Sequence, residues 1–246
     1  MKPLQGKVAL VTGGSRGIGA AIARQLAQHG AEVAFTHQHV SAQAQRTHDA
    51  IVAEGVRCSA IQADSADRLA LAAAVGRARE VHGRLDILVN NAGIYAGGAI
   101  DETTDAQLDA LVAVHMAATV IATRAAVPHM APGGSVISIG SCLSERVPEA
   151  GWSLYAMSKA ALVGLTKGLA RDLGPRGITA NLVLPGPINT DMNPADSPQA
   201  EGERAHVALG RYGEPHEVAA LVAFLAGDGA RFITGASIAV DGGYAA

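Results

Sequence analysis

The chain has 246 residues, 49% of them hydrophobic and 17% charged, with a formal net charge of −3. That length suits one sheet-based domain, and a low-charge, apolar-rich chain can bury enough surface to offset chain entropy, which excludes disorder. A charge so close to zero gives no electrostatic case for nucleic acid or an acidic membrane surface.

One Trp, four Tyr and three Phe are the only aromatic residues, so the core is expected to pack small side chains closely, helix against sheet. The longest charge-free stretch in the hydrophobic middle, Ala110 to Thr123, is shorter than the ~20 apolar residues of a membrane span. The N-terminal run passes from an apolar segment straight into a glycine turn and lacks a secretory cleavage site. Cys58 and Cys142 give neither a disulfide framework nor metal-ligand spacing. A cytoplasmic protein of one domain, residues 1–246, without metal and without nucleic-acid or membrane partners, is the expectation.

In chain order, Lys7–Thr12 is a short β-rich run, and Gly17–His29 follows with helical spacing at Ile18, Ile22 and Leu26. Glu32–Thr36 reads as a second strand before a polar helix near Ala42–Glu54. Val56–Gln62 and Ala66–His82 form the next pair. Leu85–Val89 is a fourth strand, ended by Asn90-Asn91-Ala92-Gly93, and a long helix covers about Asp105–Met130. Ser135–Ile139 is a fifth strand, Leu154–Leu173 a helix and Ile178–Leu184 a sixth strand, ended by Pro185-Gly186-Pro187. Pro215–Ala226 and Ser237–Val240 complete the series. Seven β runs separated by helices predict an α/β Rossmann fold: a doubly wound, seven-stranded parallel sheet with helices on both faces. The irregular stretch after the sixth strand, about 188–206, reads either as an ordinary surface loop or as a mobile flap over the strand C-termini, where ligands of such sheets bind.

The turn Thr12-Gly13-Gly14-Ser15-Arg16-Gly17-Ile18-Gly19 lies between the first strand and the first helix. Glycines there allow a tight turn and close approach of a pyrophosphate, and the helix N-terminus offers N–H groups to phosphate. Gly13-Gly14-Ser15-Arg16-Gly17 also fits the nucleophile elbow of α/β-hydrolases. That elbow normally follows several strands, however, and it leaves Gly19 and the later motifs without a role. The second strand ends Phe35-Thr36-His37-Gln38, with no carboxylate to accept a ribose 2′-hydroxyl. Arg16 supplies a cation nearby, so NADP(H) is favoured over NAD(H). His37 either assists or is a solvated loop residue.

With these residues in view, the chain resembles the short-chain dehydrogenase/reductase family over its full length. The resemblance rests on TGGSRGIG at 12–19, Asp64, NNAG at 90–93, Ser141, Tyr155-x-x-x-Lys159, and Pro185-Gly186 with Thr190. Within the family it looks like the 3-oxoacyl-carrier-protein reductase type. The stretch GPRGITANLVLPGPINTDMNPA also resembles reductase-like proteins described as cyclic-di-GMP-binding biofilm dispersal mediators.

The resemblance implies reduction of a ketone or β-keto compound, with Tyr155 as general acid/base. Tyr155 and Lys159 share a helix face, and an ammonium beside a phenol is expected to lower its pKa. Lys159 would also hold the nicotinamide ribose, and Ser141 would bond the substrate carbonyl. Ser141 stands 14 positions before Tyr155, one more than the family spacing; counting by that spacing lands on Cys142, a weaker donor. The alignment on Ser141 places one inserted residue in the loop 143–152.

Many members of the family carry an asparagine in the long helix where this chain has His115. Three readings stand open: a satisfied, buried histidine; a proton relay through imidazole; or an impaired relay. The resemblance further implies that Asp64 and Ser65 meet the adenine, that Asn91, Ala92 and Gly93 form the cofactor floor, and that Pro185, Gly186, Ile188 and Thr190 line the nicotinamide side. Tyr95, Leu143, Trp152 and Met192 are expected around a small carbonyl or alcohol substrate, and the apolar helices suggest a homo-oligomer, dimer or tetramer. A cyclic-dinucleotide-binding regulator on a reductase scaffold is the alternative.

Overall fold

A computed structural model describes residues 2–246. The first half runs β1 (Val8–Val11), α1 (Gly17–Gln28), β2 (Glu32–His37), α2 (Ala42–Val52), β3 (Cys58–Gln62), α3 (Arg68–His82) and β4 (Ile87–Asn90). Next come α4 (Asp105–Leu111), a π-helical turn (Val112–Ala117), α5 (Ala118–Ala126) and β5 (Ser135–Ile139). The chain ends with α6 (Ser153–Leu173), β6 (Thr179–Pro185), α7 (Ala200–Ala205), α8 (Pro215–Ala226) and β7 (Ser237–Val240). The seven strands form one sheet in the order β3-β2-β1-β4-β5-β6-β7, and every pairing is parallel. This is the doubly wound, Rossmann-like fold that the alternation predicts.

Strand parity divides the core in two, because successive side chains point to opposite faces. Ala9, Val11, Val33, Phe35, Ile87 and Val89 pack with α1, α2 and α8 on one face. Val8, Leu10, Ala34 and Leu88 pack with α3 and α5 on the other. Helix starts are set by side chains that satisfy free backbone N–H groups. Ser41 accepts from Ala44, Asp67 from Leu69 and Ala70, and Thr104 with Gln107 closes a capping box on α4. Away from the cleft, the buried His82 ties α3 to the sheet, with Nδ1 2.7 Å from Glu32 and Nε2 2.9 Å from the Ser59 hydroxyl.

Three departures from expectation matter. The long middle helix is not uniformly α-helical: six residues, Val112–Ala117, adopt the wider π turn, a form that concentrates at functional sites. The expected flap contains a short helix, α7, pinned where Glu203 accepts from Asn193 Nδ2 (2.8 Å) and the Tyr212 hydroxyl (3.0 Å). Finally, the helical run Asp105–His129 is by length and composition apolar enough to cross a membrane, with mean hydropathy 1.7. The charge-free stretch alone understates it. Half of that apolar window is buried in the fold, where α5 packs on α3 and β4, as a core helix does.

Candidate active site

Strand order reverses between β1 and β4, the place where ligands of open α/β sheets bind, beyond the strand C-termini. There the chain leaves β1 through Thr12 and Gly13 and leaves β4 through Asn91. The Thr12 hydroxyl accepts from the N–H groups of Asn91 (3.0 Å) and Ala92 (3.1 Å). Asn91 Nδ2 donates back to the carbonyls of Thr12 (2.9 Å) and Gly13 (3.1 Å). From β2, the Thr36 hydroxyl accepts from Gly13 N–H at 3.0 Å. The glycine turn is thus fixed by three strands. A Cβ on Gly19 would collide with the Gly13 carbonyl and the Asn91 amide, and Gly17 holds φ +53, a left-handed value that favours glycine.

The cleft above this turn has a volume of about 500 Å³, within the range for small-molecule and cofactor sites. It gathers nearly every residue the sequence nominates. Gly13, Ser15, Arg16, Gly17, Ile18 and Gly19 line it from the turn, with Thr36 and His37 from β2. Asp64, Ser65, Asn91, Ala92 and Gly93 line it from the ends of β3 and β4. Ser141, Tyr155, Lys159, Pro185, Gly186, Ile188 and Thr190 complete the other side.

His37 corrects one reading. It is the last residue of β2 and buried, with Nδ1 3.0 Å from the His39 carbonyl oxygen. It is not a solvated loop residue. Gln38, given no role by the sequence, also lines the cleft and donates to Asp64 at 2.9 Å. The first turn of α1 has no side-chain cap, since Arg16 occupies the N-cap without one. Its N–H groups are therefore left for a ligand phosphate, and the close-packed, uncapped turn fits a dinucleotide pyrophosphate.

At the other end, Ser141 reaches the cleft wall and Cys142 does not. Cys142 is buried among Leu143, Val207 and Tyr244, and burial pushes its thiol up to about 12. The Tyr155 ring is flanked by His115 (ring centroids 5.5 Å apart), Trp152 (5.8 Å) and Tyr95 (6.5 Å). Lys159 Nζ lies 5.8 Å from the Tyr155 ring centroid and donates to the Ile139 carbonyl at 3.1 Å.

The expected lowering of the Tyr155 pKa is not what this packing produces. Burial pushes the phenol up to about 12, Cys142 and Tyr95 add to the rise, and only the Ser141 hydrogen bond opposes it. Burial also pushes Lys159 down to about 8, so the ammonium is itself poorly solvated and its field on the phenol does not prevail.

Of the nominated residues, Met192 lines the cleft, whereas His115, Tyr95, Leu143 and Trp152 stand behind its wall. The π turn sets the His115 ring behind Gly93, where it joins two segments. Its Nε2 accepts from the Ile94 N–H at 3.1 Å, and its Nδ1 lies 2.8 Å from the Ser158 hydroxyl. Ser158 donates onward to the Tyr155 carbonyl at 2.7 Å, so its oxygen is the acceptor from Nδ1–H. These partners assign a neutral imidazole protonated on Nδ1, with both nitrogens satisfied. Burial first, and the Lys159 charge second, push the His115 pKa down to about 3. Of the three readings, the geometry matches the satisfied, buried histidine; a relay needs an imidazole that exchanges protons near neutrality. Ser158 went unnoticed in the sequence, where its only signal is a position three residues after Tyr155.

A sequence profile described as enoyl-(acyl carrier protein) reductase matches residues 13–245. The chain belongs to the short-chain dehydrogenase/reductase family. It is 44% identical over 246 residues, all of both chains, to the cyclic-di-GMP-binding biofilm dispersal mediator protein of Escherichia coli K12. Among solved members, it superposes with a TM-score of 0.98 on a short-chain dehydrogenase from Burkholderia cenocepacia in complex with NADP. That pair is 55% identical over 99% of this chain and all of the other. A blue fluorescent protein from a metagenomic library, in complex with NADPH, is 53% identical with a TM-score of 0.94, over 99% of this chain and all of that one. As a short-chain dehydrogenase/reductase, the chain is an oxidoreductase.

Proposed function

We propose that this oxidoreductase is an NADPH-dependent carbonyl reductase in which Tyr155 gives a proton to the ketone oxygen. The observation that carries the reading is the convergence of Ser141, Tyr155 and Lys159 with the glycine turn on one cleft. Arg16 and His37, with no carboxylate at the end of β2, favour the 2′-phosphorylated cofactor, and two structural neighbours were solved with NADP or NADPH. When bound, the reduced nicotinamide supplies the hydride that adds to the carbonyl carbon.

The chain's residues do the rest. Ser141 donates to the carbonyl oxygen and orients it. The phenol at about 12 stays protonated across physiological pH, as a proton donor must. It remains a stronger acid than an alcohol, whose pKa lies near the ~15.7 of water, so transfer to the forming alkoxide is downhill. Lys159 holds the nicotinamide ribose hydroxyls, and its charge favours the phenolate that the transfer leaves behind. His115 keeps Tyr155 and Ile94 in register through its two hydrogen bonds. The flap of residues 188–206 closes over the substrate, and the enzyme works in the cytoplasm as a homo-oligomer. Half-exposed Val120, Met157 and Phe224 and fully exposed Phe232 support the last point; light scattering that shows a monomer would remove it.

The reading is tested by nicotinamide absorbance with a panel of ketones. Oxidation of NADPH that depends on ketone supports it, and no turnover with any carbonyl compound contradicts it. The 44% identity to a cyclic-di-GMP-binding protein favours a second reading, in which the scaffold senses a cyclic dinucleotide. Calorimetry with cyclic-di-GMP that gives no heat excludes it.

A further inference from the structure

The chain is poor in aromatic residues, yet it places most of its Trp and Tyr at one spot. Its single tryptophan, Trp152, and two of its four tyrosines, Tyr95 and Tyr155, form one cluster of rings. Tyr95 and Trp152 meet edge to face with centroids 5.4 Å apart, and each lies against the Tyr155 ring. A third tyrosine, Tyr244, packs in the same apolar cluster with Trp152 and Tyr155.

Tyr95 is nevertheless 58% exposed and Met192, on the cleft wall, 47% exposed. Ile94, next to Tyr95 in the chain, lines the cleft together with Ala110 and Val114. The cations on the flanking segments are already engaged: Arg146 donates to the Tyr244 carbonyl at 2.6 Å, and Arg204 donates to Glu201 and to the Ala195 carbonyl. Among the described residues, the Arg and Lys side chains on the cleft wall are Arg16, which the cofactor reading uses, and Lys159, which the reaction uses.

We propose that Tyr95 and Trp152 form an aromatic wall that selects uncharged ketones carrying a ring next to the carbonyl, of the aryl ketone or cyclic ketone class. The half-exposed Tyr95 ring and the partly buried Trp152 ring, beside a reacting group, gain from a flat apolar partner, through area removed from water and through edge-to-face or stacked contact. With Arg16 and Lys159 both engaged by the cofactor and the reaction, oxo-acids are disfavoured, and nothing in the wall gains from the linear polar arm of an acyl thioester. This inference rests on the reductase reading.

Acetophenone, cyclohexanone, acetoacetate and the N-acetylcysteamine thioester of acetoacetate would be compared as substrates with NADPH. The expected result is a kcat/KM for the two ring ketones at least tenfold above both acetoacetyl compounds. Tyr95→Ala and Trp152→Ala should each lower ring-ketone kcat/KM about tenfold, mainly through KM, with the Kd for NADPH unchanged. Acetoacetyl compounds reduced as well as the ring ketones, or equal losses for every substrate in both variants, would overturn the proposal. Trp152, as the sole tryptophan, gives a readout without turnover: acetophenone should quench its fluorescence in the NADPH complex of Tyr155→Phe, and absence of quenching also overturns the wall. A parent protein that reduces none of the four, yet shows the quenching, refutes the reductase reading and upholds the wall.

Discussion

The imidazole of His115 donates from Nδ1 to the hydroxyl of Ser158 across 2.8 Å, joining the middle helix to the backbone of the helix that carries Tyr155. A histidine held this way is a fixed strut. Because its pKa lies at about 3, the kcat–pH profile of ketone reduction should show no limb between pH 5 and 7. A limb there that disappears in His115→Asn would instead assign a relay to the imidazole.

The same shift predicts acid sensitivity of the fold. An unfolded histidine takes up a proton near its usual 6.5, whereas folded His115 refuses one down to about 3. Between these values the unfolded state binds the extra proton, so stability is present above pH 6.5 and falls as the pH drops. The slope from this residue is at most about 1.4 kcal/mol per pH unit. Denaturant melts of the parent and of His115→Asn from pH 7 to 4 should show a shallower decline in the variant.

His115→Leu should be worse than His115→Asn. It leaves the buried Ser158 oxygen without its partner, at a cost of about 1–3 kcal/mol, and the part-buried Ile94 N–H without its acceptor. Thermal melts should place Leu below Asn, and Asn is expected to keep or raise reductase activity. A loss of a hundredfold in Asn would give the imidazole a role of its own.

Lys159 sets the alkaline behaviour. With its pKa pushed down to about 8 by burial, the ammonium is lost as the pH rises through that value, and reduction should decline there. Tyr155, at about 12, contributes no limb below pH 10. A rate that stays level from pH 7 to 10 would show that the charge on Lys159 is not needed.

Much of this was legible in the sequence, because it lies in local patterns. The seven β runs, the glycine turn and the Tyr155–Lys159 spacing are all encoded within a few residues of each other, and each lands where expected. What stayed hidden depends on long-range packing. Ile94 and Ser158 bracket His115 from segments 21 and 43 residues away, so neither its tautomer nor its neutrality can be read from the helix that carries it. The direction of the Tyr155 shift failed for a related reason: spacing shows that a lysine is near, but not that both groups are desolvated. Of the two readings open for His37, the solvated loop residue fails because the strand runs one residue further than its composition suggests. The π turn has no local sequence signal here.

Cofactor choice can be moved by charge. His37→Asp places a carboxylate at the end of β2, where it repels a 2′-phosphate and accepts from a free 2′-hydroxyl. The ratio of kcat/KM for NADPH over NADH should fall at least about tenfold, the equivalent of ~1.4 kcal/mol. An unchanged ratio would place the 2′-phosphate away from β2.

The central claim is that the Tyr155 hydroxyl delivers the proton, and Tyr155→Phe tests it most directly, because it removes that hydroxyl and keeps the ring among its neighbours. NADPH titration should give the parent Kd, while kcat for ketone reduction falls by about 10²–10⁴, the scale of a lost general acid. A variant that binds NADPH and reduces the ketone at the parent rate would contradict the account.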